Sequence, residues 1–85
     1  ALEKLVDPRV EELRGLVSSA SWDEAITLAE AILEAQPDDP DVLKLAAKAY
    51  QTRGSRRISG GETQEGTLDI QRALALEKQA AGRQG

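Results

Sequence analysis

Apolar residues return at helical spacing through most of the chain. Val10, Leu13, Leu16 and Val17 form one stripe, and Ala25, Leu28, Ala29, Ile32 and Leu33 a second, with Glu30 and Glu34 on its opposite side. No segment alternates apolar and polar in the way of a strand, so the pattern predicts helices throughout. Punctuation marks their ends. Asp7-Pro8 reads as an N-cap followed by a proline in the first turn, where its missing N–H costs nothing. Ser21-Trp22-Asp23-Glu24 has the form of a capping box, with the Ser21 oxygen and the Glu24 carboxylate each available to an unpaired N–H. Pro37-Asp38-Asp39-Pro40 ends the second helix and starts the third, since neither proline can continue a helix from before.

The third helix is predicted from Asp41 to about Arg53, with Gly54 as its C-cap. Segment 55–61, Ser-Arg-Arg-Ile-Ser-Gly-Gly, has no apolar period and reads as a flexible basic loop. A fourth helix begins near Glu62 or Thr63 and runs to about Ala81, and residues 83–85 read as a flexible tail.

Composition narrows the chemistry. The 85 residues include no His and no Cys, which excludes zinc fingers, Ser-His-Asp and Cys-His catalysis, haem ligation and disulfides. With 11 Leu, 4 Ile, 4 Val, Trp22 and Tyr50, the core must rest on aliphatic side chains, and 13 Ala permit close helix contacts. The expectation is a single helical domain over residues 1–82 that is not an enzyme and needs no cofactor. No apolar run approaches the roughly 20 residues of a membrane span, so no membrane insertion is expected. An opening of Ala1-Leu2-Glu3 without Met reads as a piece of a longer chain. Charge is polarised: residues 1–43 carry 11 acids and 3 bases (−8), and residues 44–85 carry 4 acids and 8 bases (+4). Such polarity bears on association rather than on fold.

The chain also resembles itself. A shift of 34 residues places Val10 on Lys44, Leu13 on Ala47 and Leu16 on Tyr50, and a shift of 41 places Ala25 on Gly66, Ala29 on Ile70 and Ile32 on Ala73. The difference of seven equals the length of segment 55–61, as if a second helix pair were interrupted by that loop. The spacing and residues resemble the tetratricopeptide repeat, two antiparallel helices over about 34 residues. Ser21-Trp22-Asp23-Glu24-Ala25 matches its small-residue turn, aromatic, acidic pair and packing alanine. Pro37-Asp38-Asp39-Pro40 matches its Pro-Asp junction, Tyr50-Gln51-Thr52-Arg53-Gly54 its Tyr-x-x-x-Gly, and Arg72-Ala73-Leu74-Ala75-Leu76-Glu77 the close of its second helix. The resemblance implies an all-α fold of two tetratricopeptide-like hairpins in a right-handed α-solenoid fragment. Repeat 1 would span about 6–39 and repeat 2 about 40–80, with loop 55–61 inserted. A generic four-helix bundle is the alternative.

In that family the first helix of each repeat lines a concave groove, which the matched positions carry to Val10, Arg14, Val17 and Ser18, and to Lys44, Lys48, Gln51 and Thr52. The last four share a helical face on spacing alone. The resemblance thus implies a non-enzymatic protein-interaction module whose basic stripe (Arg14, Val17, Lys44, Lys48, Gln51, Thr52) takes an acidic protein or peptide. The alternatives are a self-association domain, with Leu68 and Leu76 packing between copies as a homo-oligomer, and a docking domain attached to an enzyme. Arg53, Arg56 and Arg57 have no interleaved aromatic in a net acidic chain, so no nucleic-acid partner is expected. Arg-Arg-Ile-Ser resembles a basophilic kinase site at Ser59, and Ile58-Ser59-Gly60-Gly61-Glu62 resembles the signature segment of ABC ATPases without the phosphate loop that ATP hydrolysis needs. Asp38, Asp39 and Asp41 lack the Gly and distant Glu of a calcium loop, and capping explains them better.

Overall fold

A computed structural model describes residues 8–37 and 39–83. The Asp7 cap, Asp38 and the end of the tail, Gln84-Gly85, lie outside the described residues. Four helices follow one another: α1 (Pro8–Ser18), α2 (Trp22–Ala35), α3 (Pro40–Ser59) and α4 (Thr63–Arg83). No strand occurs among the described residues, and the fold is all-α. None of these helices is long and apolar enough to cross a membrane.

Each helix boundary has a local cause. Pro8 opens α1, where its fixed φ suits a helix start. Asp39 caps α3: its carboxylate accepts from the N–H of Asp41 at 3.0 Å and of Val42 at 3.4 Å, and Pro40 follows at the first helical position. Ser21 precedes α2, but the expected capping box does not close, because its hydroxyl meets that of Ser19 at 3.2 Å rather than a helix N–H. The turn before α2 is instead fixed by backbone. Ser21 N–H donates to Leu16 O at 2.9 Å and Ala20 N–H to Val17 O at 3.1 Å, a Schellman closure that puts Ala20 at φ +61°.

Segment 55–61 is not a loop. The third helix continues through Gly54 to Ser59, and only Gly60, Gly61 and Glu62 form the turn. Seven residues make close to two turns at 3.6 per turn, so the surplus lengthens α3 while keeping its faces in phase. The missing apolar period misled the expectation because this part of α3 packs through Arg57, Ile58 and Gly54 rather than through Leu or Val. Gly54 is therefore mid-helix, and the stop lies at the following glycine pair. Glu62 N–H donates to Arg57 O at 2.7 Å and Gly61 N–H to Ile58 O at 3.1 Å, with Gly61 at φ +98°, a second Schellman closure. Gly82 and Arg83, assigned to the end of the domain and the tail, are still helical.

The core is one aliphatic cluster spanning all four helices. Val10, Leu13 and Val17 come from α1, and Ala25, Ile26, Ala29, Ile32 and Leu33 from α2. From α3 come Val42, Leu43, Ala46, Ala47 and Ala49, and from α4 Ala73, Leu76 and Ala80. Leu16, Leu28 and Trp22 pack against it half-buried. In the helix contacts α1 rests on α2, α3 on both α1 and α2, and α4 on α3. Because α3 and α4 have 20 and 21 residues against 11 and 14 for α1 and α2, the second hairpin projects past the first and the molecule is elongated, 52 × 28 × 18 Å.

Candidate functional site

Where α3 crosses α4 the backbones touch. A Cβ placed on Gly66 would lie 2.6 Å from Ile58 Cγ1 and 3.0 Å from Ile58 N, and one on Gly54 would lie 2.7 Å from Gly66 O. Only glycine fits at either position, and the close approach brings polar side chains on the neighbouring flank within reach of one another. Asp69, buried on α4, accepts from Arg53 Nε and Nη2 at 2.9 Å each, a two-pronged pair, and lies 3.3 Å from Arg57 Nη1. Arg53 Nη1 also donates to Asp23 Oδ1 of α2 at 2.8 Å, so one guanidinium ties three helices. Hydrogen bonding to Asp69 raises the Arg53 pKa above its ordinary value, burial opposes the rise, and Asp23 adds to it. This arginine stays charged at every accessible pH.

One turn along, Tyr50 donates its hydroxyl proton to Glu30 Oε2 at 2.5 Å, and Arg72 Nη2 donates to Glu30 Oε1 at 3.1 Å. The Tyr50 ring lies under both guanidiniums, 5.7 Å from Arg53 Cζ and 6.0 Å from Arg72 Cζ. Burial, then the hydrogen bond to Glu30 and its charge, push the Tyr50 phenol up from its usual value, with Arg72 opposing. No buried side-chain polar atom lacks a hydrogen-bond partner among the described residues. The network therefore consumes its own charges, and its role is to fasten the hairpins together. An open cleft of about 460 Å³ beside it is lined by Trp22, Asp23, Arg53, Arg56 and Arg57 among others.

These partners are 12 to 42 residues apart in sequence, and no local pattern announces them. Asp23, Tyr50, Arg53 and Arg72 all lie in segments matched to the repeat, but the match assigns them no partner.

The expected stripe is only partly a surface. Val10 and Val17 are buried in the core, so neither can touch a partner. Arg14 is exposed on α1, 3.7 Å from Glu11 and 3.9 Å from Asp41 of α3. Lys44, Lys48 and Gln51 are exposed on α3, Ser18 is exposed on α1, and Thr52 is half-buried. Neither Lys44 nor Lys48 has an ion-pair or hydrogen-bond partner among the described residues. Of the two leucines expected to join copies, Leu76 is 1% exposed and belongs to the core, while Leu68 is 64% exposed. Arg57 is held by Asp69, Arg56 and Ser59 are exposed, and Gly60-Gly61 close α3. Comparison with protein-family models, curated proteins and solved structures gave no match.

Proposed function

We propose that the protein is a non-enzymatic protein-interaction module of tetratricopeptide-like build, whose solvent face on α3, beside Arg14 of α1, receives an acidic segment of a partner protein. The observation that carries this is the contrast between two sets of cations. Arg53, Arg57 and Arg72 are committed to Asp69, Asp23 and Glu30 inside the fold. Lys44 and Lys48, one turn apart on an exposed face, are committed to nothing among the described residues. Unpaired lysines in a row give a positive field that steers and orients an acidic ligand. Two features support the repeat-like build: α3 rests on both helices of the first hairpin, and α1 and α3 each open on a proline. A chain without His or Cys has few routes to catalysis, whereas an array of packed helices holds a rigid surface well.

The test is fluorescence anisotropy with a labelled glutamate-rich peptide. Lys44→Glu with Lys48→Glu is expected to weaken binding at least tenfold and flatten its salt dependence, with the melting temperature unchanged because both side chains are exposed. Unaltered binding by the double variant rejects this assignment of the α3 face.

A further inference from the structure

The exposed large hydrophobic side chains among the described residues are Ile58, Leu68 and Leu74, and all lie in the α3–α4 hairpin. Helical geometry sorts them. The buried stripe of α4 runs Gly66, Asp69, Ala73, Leu76, Ala80. Leu68 lies on the flank of Arg72 and Gln79, which reach Glu30 of α2 and the Pro37 carbonyl in the turn that follows it. Leu74 lies on the other flank with half-buried Ile70, four positions before it. On α3, Lys44, Gln51 and Ile58 follow at heptad spacing along one edge, and Ile58 and Ile70 lean over the Gly66 and Gly54 backbones respectively. The outer crevice of the second hairpin is thus apolar at Ile58, Ile70 and Leu74 and basic at Lys44 and Lys48.

The opposite end of the molecule has the complementary character. On α1 the side facing away from Val10, Leu13 and Val17 carries Pro8, Glu11, Glu12 and Gly15, all exposed. Glu12 has no ion-pair partner among the described residues, and Glu11 has only the 3.7 Å contact to Arg14. Gly15 stands mid-helix with nothing within 4 Å of where a Cβ would be. The two buried glycines, Gly54 and Gly66, are explained by a helix lying against them, whereas Gly15 has open space where such a helix would fit.

We infer that the partner of the α3 face is a second copy of this chain: α1 of one molecule seats in the outer α3–α4 crevice of the next, head to tail. This rests on the reading of the α3 face above and names its occupant. Charge complementarity and the fold's own stacking both select it. Within one molecule α3 already lies against α1 and α2 of the hairpin before it, so α1 of a following copy repeats that relation against α3 and α4. The internal register can be carried across. Arg14, the seventh residue of α1, meets Asp41, the second of α3. On the 34-residue shift, which puts Lys48 in the place of Arg14, the same offset between copies sets Glu11 level with Thr52, one turn past Lys48, and Gly15 level with Arg56. Each copy keeps one crevice and one α1 free, so the contact does not close and growth continues past the dimer.

Sedimentation velocity on the full 85-residue chain tests this. The mean mass is expected to climb past twice the monomer as concentration rises from tens of micromolar toward millimolar, and to fall back when salt goes from about 50 mM to about 0.5 M. Glu11→Gln with Glu12→Gln, and separately Gly15→Gln, should each weaken self-association at least tenfold while leaving glutamate-peptide binding intact. Gly15→Gln should do so with a higher melting temperature, which no loss of fold would produce. Lys44→Glu with Lys48→Glu should abolish both activities, and mixing it with Glu11→Lys/Glu12→Lys should restore association that neither shows alone. A constant monomer that still binds the peptide overturns the stacking and leaves the α3 face standing. A mass that stops at the dimer, or α1 variants that associate like the parent, also overturns it.

Discussion

The two hairpins turn in the same way and are held together differently. Both α1 and α3 end in a Schellman closure, one with Ala20 and one with Gly61 in the left-handed region. In the first hairpin the helices meet through aliphatic side chains, Leu13, Ala25, Ala29 and Ile32 being fully buried. In the second they meet at Gly54 and Gly66, backbone against backbone, and Asp69 sits 5% exposed between two arginines. The first depends on area removed from water, which tolerates small shifts. The second depends on geometry, since an ion pair without its partner, or a glycine given a side chain, has no graded alternative. A sequence poor in large apolar residues after Tyr50 can still hold two long helices together by this second means.

The largest effect that would break the second hairpin alone is the loss of its buried carboxylate. Asp69→Ala takes from Arg53 and Arg57 the buried acceptor they share, and is expected to destabilise the fold by about 3 kcal/mol in urea denaturation. Denaturation no easier than in the parent would show that the arginines relocate without cost. The glycines sharpen the comparison by sign. Gly54→Ala forces a Cβ to 2.7 Å from Gly66 O and should cost about 2 kcal/mol even after the gain in helix propensity. Gly15→Ala in α1, in open space, should stabilise by about 1 kcal/mol. Equal responses at the two positions would remove the distinction between hairpins. The smallest effect is alkaline. With its phenol pKa raised in the fold, Tyr50 contributes stability that is full below the unfolded value near pH 10 and is lost as pH rises through the folded one. Tyr50→Phe should flatten the fall in melting temperature above about pH 10, at a modest loss of stability near neutrality from the missing hydrogen bond to Glu30.

Much of the fold was readable because it is local. Pro8, Asp39-Pro40 and the apolar stripes of α1 and α2 act within a few residues of themselves, and the structure places them where the pattern does. Gly54 and segment 55–61 misled for a related reason. A glycine followed by polar residues ends most helices, and nothing within a turn of Gly54 reveals that α4 will lie against it. The same holds for the candidate surface. Spacing put Lys44, Lys48 and Gln51 on one exposed face, since that needs only the helical period. It could not tell that Val17 and Leu76 face inward, because an apolar residue on a helix fits a core or an interface equally well.

The sequence by itself determined that the chain is helical, where each of the four helices begins to within a residue, how charge is divided along it, and which chemistry is absent. These follow from backbone preference and side-chain inventory, which do not depend on distant neighbours. Only the tertiary structure decided that α3 runs on for two more turns, that Gly54 and Gly66 are a crossing point, and that Arg53 reaches Asp69 and Asp23 at once. Those outcomes depend on pairs many residues apart, whose energies exist only after the helices have met.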